Sequence, residues 1–302
     1  MPQIKANGID IEYESFGRDT DPAILLIMGF SGQLTMWPVA LCEALAAKGF
    51  RVIRFDNRDV GKSTHLMDKG TPNIGELMAA LASGQPTNAP YQLSDMADDA
   101  AALLKALGIK HAHIVGASMG GMIAQLVAAN HPDITRSLTS IMSTTGKRDL
   151  PAAKPEAMAA LMTPPASFDR EARIQRTIST FRVIGSPGYP ATDPEIRAFA
   201  EREVDRVPYE PTGIARQMAA IIAAPPRNDL LNTVRAPALV IHGADDPLVP
   251  VDGGRDTAAS IPGARLEIVP GMAHDFTDAL LPVYLRLIGD FVTKVEGKAK
   301  AA

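Results

Sequence analysis

The chain has 302 residues, 46% of them apolar and 21% charged, with a formal net charge of −4. This excludes a disordered chain, offers no basic footprint for nucleic acid, and supplies enough apolar residues for a sizeable core. A single cysteine, Cys42, rules out an intrachain disulfide and a cysteine metal cluster.

In chain order, Gln3–Ala6 and Ile9–Glu14 alternate in polarity about Asn7-Gly8, the pattern of a hairpin. Ala23–Ile27, Arg51–Phe55, His113–Ala117, Leu138–Met142, Ala238–His242 and Arg265–Val269 then read as strands buried on both faces. Helical stretches separate them at Trp37–Lys48, Ser94–Leu107, Met119–Asn130, Asp252–Ser260 and Thr277–Val295, so the fold class is α/β with a mostly parallel sheet. Gly49 and Gly108 stop the first two helices, and Asp95, Asp98 and Asp99 favour the positive end of the second. The last five residues, 298–302, read as a frayed end. From Ser143 to Asn232 no strand pattern appears, and 11 of the 24 prolines fall there. Helices are legible in it at Asp169–Val183, after Thr192-Asp193-Pro194-Glu195, and at Ile214–Ala224. The expectation is a helical cap of residues 143–232 on a core made of 1–142 and 233–302. Residues 66–93 form a smaller excursion with a helix at Ile74–Ala82. No apolar run reaches the ~18 residues that span a bilayer. The start, Met1-Pro2-Gln3-Ile4-Lys5-Ala6-Asn7-Gly8, has neither a charged leader nor an apolar stretch, so a soluble, cytoplasmic protein is expected.

Gly116-Ala117-Ser118-Met119-Gly120 fits Gly-x-Ser-x-Gly between a strand and a helix. So sharp a turn strains the serine backbone and crowds out side chains at its flanks, hence the glycines. It also holds the hydroxyl at the carboxyl end of the sheet, beside a helix N-terminus that favours negative charge. The bland reading is a glycine-lined turn with an ordinary serine; the strand–turn–helix context favours a nucleophile. A serine hydroxyl needs a base. In the Ser…Asp…His order of this motif the base comes last, which selects His274 in Pro270-Gly271-Met272-Ala273-His274. His111 and His113 bracket a strand entry, His131 precedes Pro132, His242 closes a strand and His65 sits in a loop. No third ligand type stands near the His111/His113 pair, so no metal is expected. The acid should follow the penultimate strand, where Asp245 and Asp246 both stand; spacing leaves both open, and Pro247, which restricts the residue before it, favours Asp246. In Met28-Gly29-Phe30-Ser31-Gly32, the Phe30 N–H would join the Met119 N–H as an oxyanion hole. Cys42 reads as packing beside Trp37 and Leu41. Arg58 and Asp59 read as an ion pair with each other or with the cap.

With these residues placed, the chain resembles the α/β-hydrolase family over essentially its whole length. Ser118, Asp246 and His274 match that family's nucleophile, acid and base, and Phe30 and Met119 its oxyanion donors. Phe55-Asp56-Asn57-Arg58-Asp59-Val60-Gly61-Lys62-Ser63 looks like the Asp-x-Arg-x-x-Gly-x-Ser loop of many members. With Met28-Gly29 and the long insertion, the chain is most similar to the bacterial esterase branch that includes the aclacinomycin methylesterases. Many relatives have His-Gly in place of Met28-Gly29, so this chain keeps the backbone donor and loses a polar side chain. The resemblance implies the α/β-hydrolase fold: a mostly parallel eight-stranded sheet, flanking helices and an inserted helical cap. It further implies a serine carboxylic-ester hydrolase that forms an acyl-enzyme on a small-molecule ester, without cofactor or metal. A serine nucleophile points away from epoxide hydrolases and haloalkane dehalogenases, and a missing His-Gly-Gly-Pro-Gly loop away from proline iminopeptidases.

Met28, Met119, Met142 and Met272 flank these loops, and flexible methionine suits an apolar pocket. Met28 and Met142 are the substrate-wall candidates, with core filling as the plainer role. Met158, Met162, Phe168, Phe181, Tyr189, Phe199 and Met218 read as the insertion's own core. Neighbouring readings on the same machinery are a lactonase or macrolide esterase, a natural-product methyl esterase, and peracid formation. The reading from a different class is a ligand-binding protein that kept the fold and lost turnover.

Overall fold

The first turn of the chain sets an antiparallel start. In the computed structural model, which describes residues 1–301 and the side chains of 1–297, Asn7 and Gly8 have φ of 47° and 80°, the left-handed pair a tight hairpin needs. The frayed end expected at 298–302 therefore lies outside the described side chains. The turn joins β1 (Gln3–Ala6) to β2 (Ile9–Phe16), and β2 runs antiparallel to β4 (Arg51–Phe55). All other pairings are parallel, through β3 (Ala23–Ile27), β5 (Ala112–Ala117), β6 (Thr135–Ile141), β7 (Ala238–Gly243) and β8 (Arg265–Val269). The order across the eight-stranded sheet is β1-β2-β4-β3-β5-β6-β7-β8.

The two-residue alternation of a strand divides the core. Leu25 and Ile27 of β3 face one layer with Leu103 of α3 (Leu93–Ala106) and Ile123 of α4 (Met119–Asn130). Ile24 and Leu26 face the other with Leu45 of α1 (Val39–Ala47) and Ile288 of α11 (Leu281–Ala301). Cys42 lies in the second layer with Trp37 and Leu41, and burial pushes its thiol up to about 12. The expectation of burial on both faces fails at β8. It is the sheet edge, mostly half-buried, and an Arg265–Glu267 bond of 2.6 Å lies at its outer side. The helix expected from Trp37 starts at Val39, because Pro38 keeps Trp37 before it out of the helical region and is itself the extended N-cap, with ψ of 133°.

Between β6 and β7 come α5 (Pro155–Met162), α6 (Arg170–Ile184), α7 (Asp193–Arg206), α8 (Pro211–Ala223) and α9 (Asn228–Leu231). The sequence reading missed α5, which opens on Pro155. Thr192 and Glu195 close a reciprocal capping box on α7. α6 and α7 share a small core of Ile174, Ile178, Ile196, Ala200 and Val204. Met158, Met162 and Phe168, expected in that core, are exposed. α8 packs on α2 (Ile74–Ala82), so the two excursions meet, whereas α9 packs on α4 and α10 (Val251–Ser260) and goes with the sheet layers. Among the described residues no helix is long and apolar enough to cross a membrane.

The loop after β4 ties these parts together. Asp56 accepts from Leu34 N at 2.7 Å and Lys62 N at 2.9 Å, and its Oδ2 lies 2.7 Å from Arg206 of α7. Gly61 sits against that carboxyl with φ of 61°, where a Cβ would be 2.0 Å from Asp56 Oδ2. Ser63 Oγ donates to Asp56 O at 2.6 Å and accepts from Glu12 N at 2.9 Å. Arg58 and Asp59 do not pair with each other. Arg58 bonds Asp99 of α3 at 2.6 and 2.7 Å, and Asp59 bonds Arg216 of α8 at 2.7 and 2.9 Å, all deeply buried. Two successive side chains thus anchor to opposite sides of the loop.

Arg216→Met should therefore destabilise the protein by about 3–5 kcal/mol, because it strands the Asp59 charge. Adding Asp59→Asn to Arg216→Met should recover part of that loss. Urea unfolding of the single and double variants checks this; a double variant no more stable than the single would mean that lost packing, not the unpaired charge, dominates.

Candidate active site

Ser118 stands between β5 and α4 with φ 57° and ψ −123°, a conformation that costs energy for any residue with a Cβ. The surrounding glycines show why it persists. A Cβ on Gly116 would lie 2.0 Å from Gly120 O, and one on Gly120 would lie 2.1 Å from Ile27 O. A Cβ on Gly29 would come within 2.9 Å of Ser118 Cβ. Three segments thus meet backbone on backbone, and the turn between two of them carries Ser118. Ser118 N donates to Ile141 O at 2.9 Å, and Ser143 Oγ donates to Ser118 O at 2.8 Å.

His274 follows β8, and its Nδ1 lies 2.8 Å from Asp246 Oδ2. The other Asp246 oxygen accepts from Leu248 N at 2.9 Å and Val249 N at 2.8 Å, a side-chain turn that aims the carboxylate inward. Behind it, His242 Nε2 is 3.7 Å from Asp246 and 2.8 Å from Val249 O. Burial pushes the His242 pKa down, which keeps that ring neutral. Asp245 is exposed and accepts from Gly271 N at 2.8 Å, so it braces the His274 loop from outside.

Ser118 and His274 line one cavity of about 800 Å³, also walled by Phe30, Met28 and Met142. No hydrogen bond joins Ser118 Oγ to His274, a contact that often tightens only in the reacting complex. Among the described residues, neither the Phe30 N–H nor the Met119 N–H has an acceptor. Met119 and Met272 are buried and their side chains are not part of the cavity wall. Phe181 and Phe199 meet edge to face at 4.8 Å and do line it, beyond the core role expected of them.

Two clusters that sequence reasoning missed brace this site from the inserted helices. Gln217 of α8 accepts from Ser31 N at 2.8 Å and donates to Arg58 O at 2.8 Å, and Asn57 Nδ2 donates to Met28 O at 2.9 Å. They fix the Met28–Ser31 loop, in which Ser31 has φ of 54°. The available signal was the polar pair Arg216-Gln217 in a helix that is apolar beyond Thr212 of its first turn. On the other side, Ser186 bonds Asp275 through its hydroxyl at 2.5 Å and its N–H at 3.0 Å, and accepts from Ala273 N at 2.7 Å. His274 N donates to Ile184 O at 3.0 Å. Burial raises the Asp275 pKa, and nothing in its local sequence marks its distant partner.

The remaining histidines have partners away from the cavity. His65 lies 3.1 Å from Gly61 O, His111 2.8 Å from Asp133 O, and His131 2.8 Å from Asp98. His113 meets Ser137 at 2.7 Å, and burial pushes its pKa down to about 4. Among the described residues no group of three or more His, Cys, Asp or Glu side chains could hold a metal ion.

A family model described as alpha/beta hydrolase fold matches residues 22–277. The chain belongs to the α/β hydrolase family. This α/β hydrolase is 30% identical over 282 residues to rhodomycin D methylesterase DauP of Streptomyces sp. strain C5, across 86% of this chain and 87% of that one. It is 28% identical over 262 residues to the putative carbamate hydrolase RutD of Caulobacter sp. strain K31, across 84% of each. The enol-lactonase from Burkholderia xenovorans LB400 superimposes with a TM-score of 0.71 over 98% of this chain and 100% of that one, at 22% identity, a likeness of fold.

Two helical glycines separate the demands of the turn from ordinary helix propensity. Gly120→Ala should destabilise by about 1–3 kcal/mol or more, since the new Cβ meets backbone that has no room to move. Gly75→Ala on α2, where only Asn73 Oδ1 at 3.4 Å is near, should be neutral or stabilising by up to about 1 kcal/mol. Thermal unfolding of both checks the contrast; equal effects would refute the crowding account.

Proposed function

We propose that this α/β hydrolase is a serine carboxylic-ester hydrolase that works through Ser118, His274 and Asp246, with residues 143–232 as a cap over the site. The observation that carries the reading is the bonded His274–Asp246 pair opening onto the same cavity as a strained Ser118. Ser118 Oγ attacks the ester carbonyl while His274 Nε2 takes its proton. Asp246 holds the Nδ1–H and stabilises the imidazolium. The Phe30 and Met119 N–H groups receive the oxyanion, each worth roughly 3–4 kcal/mol in a water-poor site. Collapse expels the alcohol, which takes the proton from His274 and leaves an acyl-enzyme. Water, deprotonated by His274, then attacks the acyl carbon; the acid departs and Ser118 recovers its proton.

The substrate reading is a small-molecule ester with an apolar group, set against Met28, Met142, Phe181 and Phe199. A cavity of about 800 Å³ is of the size that holds a drug-sized ligand, and a relative named as a rhodomycin D methylesterase supports bulky methyl esters as a narrower form of this reading. A pure binder needs neither a strained serine nor a buried His–Asp pair, which disfavours that alternative.

Hydrolysis of a nitrophenyl ester series, from acetate to long acyl chains, tests the reading. Wild type should be active, and Ser118→Ala should lose at least about 10³-fold in kcat; equal activity in both would sink it. Asp246→Asn should cost about 10²–10⁴-fold in kcat and Asp245→Asn less than about threefold, with the reverse order rejecting the acid assignment. Phe30→Ala should shift substrate preference while retaining substantial activity, because the donor is its backbone.

A further inference from the structure

Four arginines line the cavity, and three of them face a carboxylate. Arg54 pairs with Glu14, Arg182 lies 2.9 Å from Asp193, and Arg202 lies 3.7 Å from Glu203. Arg176 of α6 differs. Its Nε donates to Thr163 O at 3.2 Å and its Nη2 to Leu161 O at 2.6 Å, at the end of α5. Among the described residues Nη1 donates to nothing, and no acidic side chain pairs with the guanidinium. The residue is half-buried and stands open to the cavity.

The backbone carbonyls orient this cation without neutralising it, since a helix C-terminus offers only about half a charge. Burial pushes the Arg176 pKa down, yet a guanidinium stays protonated at neutral pH. A partly desolvated cation without a counter-ion favours an anion beside it. Helical phase sets where that anion would lie. Ile174 and Ile178 turn to the small core shared with α7, whereas Arg176, Thr177, Thr180, Phe181 and Ile184 all line the cavity, one stripe at helical spacing. The C-terminal end of the stripe adjoins the chemistry, because His274 N donates to Ile184 O at 3.0 Å. Arg176 stands about 12 Å from Ile184 along the helix axis. Between them Phe181 supplies apolar wall, and the Thr180 hydroxyl is engaged with Ala160 O at 3.0 Å.

We propose that Arg176 binds a carboxylate carried by the substrate at the end remote from its ester, so that the preferred substrates are esters of acidic molecules with an apolar middle. The proposal rests on the reading of the Ser118 cavity as the substrate site. It adds a specificity element that neither the motif nor the cap's apolar residues supply.

Calorimetric titration of Ser118→Ala protein tests it without turnover, so the result stands apart from whether Ser118 is the nucleophile. The probes are methyl esters of graded acyl length that end in a carboxylate or in a carboxamide, its neutral counterpart of nearly the same shape. At lengths that span about 12 Å, the carboxylate should bind about tenfold more tightly than the carboxamide. That gain should fall below about twofold when Arg176→Gln is added, which keeps an amide donor for the end of α5 and removes the charge. Arg176→Met serves if Arg176→Gln does not fold. A carboxylate that binds no more tightly than the carboxamide at any length, or a gain that survives the loss of the Arg176 charge, would overturn the proposal.

Discussion

The close packing of backbone on backbone around Ser118 is the constraint on which the site depends. β5 can deliver a side chain to the sheet end at that angle only if α4 turns back immediately, and α4 can do so only where Gly116 and Gly120 let the two segments touch. The same absence of side chains lets the β3 exit, at Gly29, come up against Ser118. A strained φ of 57° is tolerated because bonds from Ser118 N to Ile141 O and from Ser143 to Ser118 O overdetermine it. The strain that weakens the turn locally is what fixes the hydroxyl in space.

Around that point, the loops that hold Phe30 and His274 are each braced from both the sheet and the inserted helices. Gln217 reaches from α8 to Ser31, and Ser186 reaches from the end of α6 to Asp275. The loop after β4 supplies the common anchor, with Asp56 bonded to α7, Asp59 to α8 and Arg58 to α3. Its Asp-x-Arg-x-x-Gly-x-Ser pattern is therefore a fastening device whose residues act at a distance from the chemistry. The inserted helices are joined to the loops at both sides of the cavity through these same bonds.

The sheet was legible because its central strands are short apolar runs bounded by turn residues, a signal local to each element. Ser118, Asp246 and His274 were legible as candidates because each follows a strand in chain order. The unread features are long-range. β8 looks like a buried strand in isolation, and only its place at the edge exposes it. Asp59 does pair with the inserted helices, one of the two readings open to it, but its neighbour Arg58 pairs with Asp99, 41 positions away in α3, which no local pattern marks. Phe181 and Phe199 have helical core spacing, and only the packing of α6 on α7 brings them to the cavity as well. Ser186 and Asp275 carry no local pattern at all, since their pairing depends on where the inserted helices come down.

Labelling by a serine-directed fluorophosphonate, followed by mass spectrometry, tests most directly whether Ser118 and His274 act as one unit. A single adduct is expected on the peptide that carries Ser118, formed at least about 100-fold more slowly in His274→Ala. An adduct on another residue, no adduct on folded wild type, or a rate unchanged by His274→Ala would contradict it.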